Sequence, residues 1–362
     1  MTRSSEQHRA PRILVVRNDK LGDFMLAWPV LACLKRANPD NHVSVLVPAY
    51  TASLASACPW IDEVIVDPGK HAGRQAQQTL LARMREADFT ALLTLFSTSR
   101  VAWLGWRAGI PLRLAPATKW AQLFYNHRIT QRRSRSQKPE YHYNLELAEA
   151  LLARLGQPSK PVAPPYWPLP SGTRPAQRAR LADELGLDGN RPWLFIHPGS
   201  GGSAVNLSLA QYAQLAVTIE RTLASNSIVP QWLLTAGPGE EQAARKLADT
   251  LGDEGLAVGV PPPREGLEDF ALTLAAADML IAGSTGPLHM AGCLNLPTAG
   301  FYPAKRSSTP LRWETCNAED RRLAFSPPSD SESDMSRIDL TQAAQQISAL
   351  VVARRAVPAP GS

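Results

Sequence analysis

The chain has 362 residues, 44% of them apolar and 19% charged, enough for two globular domains that each bury a core. Its four cysteines, Cys33, Cys58, Cys293 and Cys316, lack CxxC spacing, which excludes a disulfide framework or a cysteine-built metal site and suits buried thiols in a reducing cytosol. No apolar run is long enough to cross a bilayer, no apolar leader follows the basic amino terminus, and the formal charge of +6 is not spread evenly. Residues 89–139 carry nine Lys or Arg and no Asp or Glu, leaving 29 basic against 32 acidic residues elsewhere. Ordinary surfaces mix the two signs, so this segment points to an anionic partner.

Along the chain, short β-branched runs alternate with amphipathic stretches. Strands are expected over residues 13–16, 43–47, 63–66 and 91–96, with helices over 24–36, 49–58, 75–87 and 101–107 between and after them. This is the signature of βα units that feed a parallel sheet covered on both faces. A helix over 144–155 stops at Gly156, and the next stretch, 158–170, holds six prolines, which marks a linker. The alternation then restarts, with strands expected over 193–196, 232–235, 256–260, 279–282 and 298–302 and helices over 208–223, 240–251, 267–277 and 287–294. Residues 327–336 read as a mobile polar segment, and a last helix follows over 340–354. The expected fold class is α/β, with two facing Rossmann-like domains at 1–165 and 166–362 and the last helix able to return to the first domain. Ligands of such sheets sit beyond the carboxyl ends of the strands, in a cleft.

The loops at those strand ends carry the chemistry. After the first strand comes Arg17-Asn-Asp-Lys-Leu-Gly-Asp23; Asp23 is either a carboxylate that accepts a proton or the N-cap of the next helix, and Asp19 is a second candidate on the same loop. The strand at 193–196 runs into His197-Pro-Gly-Ser-Gly-Gly-Ser203, whose glycines allow backbone N–H groups near an anion and whose Ser200 and Ser203 add hydroxyls. Neither GxGxxG nor a P-loop lysine is present, so this is no standard dinucleotide or nucleotide-hydrolase fingerprint. The strand at 279–282 leads to Gly283-Ser-Thr-Gly-Pro-Leu-His289, where Pro287 suits the first helical position and Ser284 or Thr285 its cap. The free N–H groups and dipole of such a helix start stabilise a diphosphate, and His289 lies one turn inside.

These motifs in this order, together with Leu123-Phe-Tyr-Asn126 and Ala236-Gly-Pro-Gly-Glu-Glu241, resemble the heptosyltransferases of glycosyltransferase family 9 over about residues 12–303. The resemblance implies a GT-B type fold and an inverting, metal-independent transfer, with no cofactor, of a heptose or related sugar from an ADP-sugar, ADP-heptose above all. The acceptor it implies is an anionic, lipid-linked lipopolysaccharide or lipooligosaccharide core. It places Asp23 as catalytic base, with Ser200, Gly201, Glu240 or Glu241, Ser284, Thr285, Gly286 and His289 at the donor. The acceptor would meet Arg128, Arg132, Arg133, Arg135 and Lys138 on the acid-free segment. Two positions depart from the family pattern and bear on the donor sugar: Ser284 stands where an Asp precedes Thr-Gly, and the lysine after the glycine-rich loop has no counterpart in Ala204-Val-Asn-Leu-Ser208. Other readings are a GT-B transferase for a different nucleotide sugar, a nucleotide-sugar epimerase, and a protein O-heptosyltransferase. Nucleic acid is not an expected partner. The expected location is the cytoplasm, with peripheral contact at the inner membrane.

Overall fold

The computed structural model describes residues 10–117, 120–202 and 205–356; Lys119 and Ser203 lie outside them. Up to Arg132, and again over Tyr141–Val162, the chain forms one compact unit; Arg133–Glu140 and the chain from Ala163 onward form the other. The second boundary falls within three residues of the one expected from the prolines, but the excursion at 133–140 carries no signal in the sequence. Its residues are tied to the second unit: Glu140 is buried between Arg133 and Arg312, and the Ser136 hydroxyl donates to the Arg306 carbonyl at 2.6 Å.

In the first unit β1 (Arg12–Val16), β2 (His42–Pro48), β3 (Glu63–Asp67), β4 (Ala91–Thr94), β5 (Leu112–Pro116) and β6 (His127–Ile129) form a parallel sheet in the order β3-β2-β1-β4-β5-β6. Ile13 to Val16 are fully buried, as a central strand covered on both faces requires. The single helix expected over 24–36 is two, Leu21–Met25 and Trp28–Ala37. Pro29 sits in the first turn of the second, where its missing N–H costs nothing; inside one continuous helix its ring would strike the carbonyl four residues back. Strands β5 and β6 escaped the sequence reading because they are short and broken by arginine.

The second unit repeats the plan with β7 (Trp193–His197), β8 (Gln231–Leu234), β9 (Val258–Gly259), β10 (Met279–Gly283), β11 (Thr298–Phe301) and β12 (Arg322–Phe325), all parallel, in the order β12-β11-β10-β7-β8-β9. The helix Leu209–Ala224 starts with a reciprocal cap between Ser208 and Gln211. The last helix runs Leu340–Ala356 and packs on Leu209–Ala224 through Ala343, Ala344, Ile347 and Val351, so these residues belong to the second unit's core. The segment read as mobile is anchored there too: Met335 is buried and its carbonyl accepts from Gln211 Nε2 at 2.7 Å. All four cysteines are free and buried. Among the described residues no helix is long and apolar enough to cross a membrane.

In both sheets the strand order reverses beside the first strand, between β1 and β4 and between β7 and β10. Neighbouring chains leave such a point in opposite directions and open a crevice at the strands' carboxyl ends, where nucleotides bind in this fold. Val16 lies beside Thr94 in one sheet and His197 beside Ala282 in the other. The motif loops of the sequence therefore emerge at the two switch points.

Candidate active site

At the first switch point, the loop after β1 gathers charge around a buried arginine. Arg17 is 3% exposed; its Nε donates to Asp19 Oδ1 at 2.8 Å and its second terminal nitrogen pairs with Asp23. Asp23 lies in the first turn of Leu21–Met25, whose cap is Lys20, and its side chain caps nothing. The structure thus removes the capping explanation and leaves a half-buried carboxylate held by Arg17. Burial pushes the Asp19 carboxyl up to about 6, opposed by Arg17 and assisted by the charge of Asp23. The Tyr50 hydroxyl donates to the Asp19 carbonyl at 2.8 Å. Asn18 and Arg100 both donate to Asp67 at the end of β3, and Gln77 accepts from Arg100 at 3.0 Å. Asn18, Tyr50 and Asp67 were not singled out from the sequence, and Arg100 counted only as one of the nine basic residues of the acid-free segment; only the sheet order brings four separate segments to one rim.

At the second switch point the helix Gly286–Cys293 begins directly after β10. Thr285 holds the cap position with an extended backbone, φ −127° and ψ 169°, yet its side chain accepts from no helix N–H. Pro287 is one residue further in than expected. The Thr285 hydroxyl and His289 Nδ1 are both buried and have no protein hydrogen-bond partner, although each residue is almost wholly enclosed. Buried polar atoms are nearly always paired, and these two unpaired ones stand within one turn of each other at the helix start that follows β10. Burial drops the His289 pKa to about 4, so the ring is neutral near pH 7 and can act as a hydrogen-bond donor there, not as a cation. Ser284 is half-buried, and its N–H donates to the Phe301 carbonyl at 3.1 Å.

The glycine-rich loop after β7 is clasped from two sides. Glu240 accepts from the N–H groups of Gly201 at 2.6 Å and Gly237 at 3.0 Å, and His197 Nε2 lies 3.4 Å away. The His197 hydrogen bond, more than offsetting burial, takes the Glu240 carboxyl down to about 2, with the two N–H groups adding to it. The Thr235 hydroxyl faces His197 Nδ1 at 3.1 Å. The Gly201 N–H therefore serves Glu240 rather than facing outward, and Glu240 anchors the loop from within the protein. Glu241, offered by the sequence as its equal, begins the helix Glu241–Asp253 and lines an open pocket with Gln242 and Arg245. A methyl group on Gly199 would lie 2.0 Å from the Glu240 carboxylate, which explains a glycine there. On the other side Asn206 donates to the Pro198 carbonyl at 2.9 Å and accepts from Tyr212 at 2.7 Å; a methyl group on Gly283 would meet its Oδ1 at 2.4 Å. Asn206 thus locks the β7 loop to the end of β10. Ser200 is half-buried in the same loop.

Of the basic residues expected at an anionic acceptor, Arg128, Arg132 and Arg135 are exposed and Lys138 is half-buried. Arg133 is held differently: its guanidinium donates to Glu140 at 2.6 Å and its carbonyl accepts from Arg312 at 3.0 Å, which ties it to a buried ion pair of the second unit. Asn126 is also structural, its side chain accepting from the Arg113 N–H at 2.8 Å and donating to the Pro111 carbonyl at 2.6 Å.

Two Rossmann-like α/β units, each with a polar loop cluster at its switch point, make up a fold of the GT-B type. Residues 78–334 match the sequence profile of "Glycosyltransferase family 9 (heptosyltransferase)". A protein of Haemophilus influenzae named "Putative glycosyltransferase" is 48% identical over 324 residues, 90% of this chain and 91% of its own length. The chain belongs to glycosyltransferase family 9. Lipopolysaccharide heptosyltransferase 2 of Escherichia coli is 22% identical over 83% of this chain and 85% of its own. The fold resembles that of the Escherichia coli ADP-heptose lipopolysaccharide heptosyltransferase II, with a TM-score of 0.75 at 17% identity over 95% of this chain and 99% of that one. A family 9 glycosyl transferase of Veillonella parvula gives 0.74 at 16% identity over 95% and 97%.

Proposed function

We propose that this enzyme transfers a heptose from ADP-heptose to a hydroxyl of an anionic, lipid-linked lipopolysaccharide or lipooligosaccharide core, with inversion and without a metal. The observation that carries the donor half is the pair of buried atoms without protein partners, Thr285 Oγ1 and His289 Nδ1, at the helix start beside β7. A diphosphate oxygen satisfies both, and the helix dipole stabilises its charge. Charge grows on that oxygen as the bond to the anomeric carbon breaks, so donors fixed in advance lower the barrier without reorganising. Ser200 adds a hydroxyl, while Glu240 and Asn206 hold the loop that presents it.

On the acceptor side Asp23 takes the proton as the acceptor oxygen bonds to the anomeric carbon; that carbon loses its bond to the departing ADP. Arg17 positions Asp23 and Asp19 supports Arg17. Arg128, Arg132 and Arg135 meet phosphate or acidic sugars of the core. Ser284, in place of an acid, leaves the donor's sugar hydroxyls to a neutral hydroxyl. The work takes place in the cytoplasm, where the nucleotide sugar is available.

The test is a thermal-shift series with ADP-, GDP- and UDP-sugars, since a ligand that binds only the native state raises Tm. A rise confined to the ADP-sugars, ADP-heptose foremost, is expected, followed by transfer to a deacylated core acceptor that survives EDTA. A response to GDP- or UDP-sugars alone would overturn the donor.

A further inference from the structure

The acid-free segment contains a second feature that an acceptor-binding role for its arginines leaves unexplained. The helix Ser99–Arg107 packs against the 3-10 turn Trp120–Phe124, with the rings of Trp106 and Phe124 5.9 Å apart. Large apolar side chains stand exposed on this pair of elements: Trp103 by 40%, Trp106 by 50%, Trp120 by 82% and Leu123 by 67%. Trp120 and Leu123 are three apart in a 3-10 turn and so share one side of it. The Arg107 guanidinium lies over the Trp103 ring at 5.6 Å, and Arg107 and Arg128 are exposed. A soluble surface rarely clusters such residues without a partner.

We propose that this face docks on an anionic lipid bilayer. Tryptophan rings favour the headgroup level of a membrane, and Arg107, beside the Trp103 ring, meets lipid phosphate. The charge is complementary over the whole segment, since 89–139 holds no carboxylate that an anionic surface would repel. Leu123 favours lipid over nucleic acid or sugar: an aliphatic side chain stacks on neither, but it enters the acyl boundary. The inference names the surface on which the proposed lipid-linked acceptor would be met. It can fail while transfer from ADP-heptose stands, because it uses none of the donor or base residues.

The experiment is co-sedimentation of the full chain with vesicles of phosphatidylcholine, with and without phosphatidylglycerol. Binding only to the phosphatidylglycerol vesicles is expected, weakening with salt. Replacing Arg107 by Gln should cost roughly fivefold in partitioning, and Trp120→Ser with Leu123→Ser more than that. The Tm rise with ADP-sugar should be unchanged in these variants, which shows that they are folded. Equal binding to both vesicle types, or undiminished binding by the double variant, would overturn the proposal. So would a double variant that loses transfer to a lipid-free acceptor as severely as to one embedded in vesicles, or one whose main loss is affinity for single-stranded oligonucleotide.

Discussion

The two switch points share a strand order and differ in how their polar groups are satisfied. At β1 and β4 the carboxylates of Asp19, Asp23 and Asp67 are all paired, with Arg17, Asn18 or Arg100. At β7 and β10 the anchoring groups are paired, but Thr285 Oγ1 and His289 Nδ1 are not. On the proposed mechanism the first arrangement holds the base and the second offers its unpaired atoms to the leaving diphosphate. One sheet plan would then support two chemistries through the loops alone.

If the contrast holds, the largest effect belongs to Asp23. Asp23→Asn keeps the size of the side chain and leaves Arg17 its bond to Asp19. The rate constant for transfer should fall about 100- to 10,000-fold, the usual contribution of a positioned base. Calorimetric affinity for ADP-sugar should stay the same, because Asp23 has no part in holding the diphosphate. Turnover close to normal in the folded variant would remove Asp23 as the base and break the comparison at its first half.

The second half is tested by Thr285→Val, which deletes one buried hydroxyl and keeps the shape. ADP affinity should drop about tenfold to a hundredfold, the worth of a hydrogen bond to a charged oxygen. The free protein should lose no stability in urea, since the hydroxyl has no protein partner there. A clear fall in the denaturation midpoint, with ADP affinity unchanged, would make Thr285 a structural cap instead.

Much of this was legible in the sequence for a physical reason. Parallel strands buried on both faces must be apolar runs, and glycine-rich or capping residues directly after them mark strand ends, so His197-Pro-Gly and Ser284-Thr-Gly stood out. Segments whose burial is partial were not legible: β6, around exposed Arg128, and β12, beginning at Arg322, present no buried apolar run that would announce a strand. Asn206 and the partners of Asp67 were missed because their roles depend on contacts between distant segments, as with Arg100 and Asp67, 33 positions apart. The pairing of Arg133 with Glu140 was not legible for the same reason, since a basic run cannot reveal which of its members a buried carboxylate holds.

The smallest effect, and the finest probe of the first switch point, is the pH response set by Asp19. Its native carboxyl ionises at about 6 against an ordinary 3.8, so the folded chain holds this proton more tightly than the unfolded chain does. Stability from this group is therefore present below that window and is lost as pH rises through about 6. Asp19→Asn should abolish the dependence and leave the protein more stable at pH 7 by up to ~2 kcal/mol, measured by urea unfolding at several pH values. Activity should move the opposite way with pH. Ionised Asp19 shares Arg17 with Asp23; once it is protonated, Arg17 turns its full charge on Asp23 and restrains it from accepting a proton. In the native enzyme kcat/KM should accordingly decline below about pH 6, and in Asp19→Asn that acid limb should vanish while the plateau falls a few-fold. An acid limb that persists unchanged in Asp19→Asn would place the titrating group elsewhere and reduce Asp19 to a structural partner of Arg17.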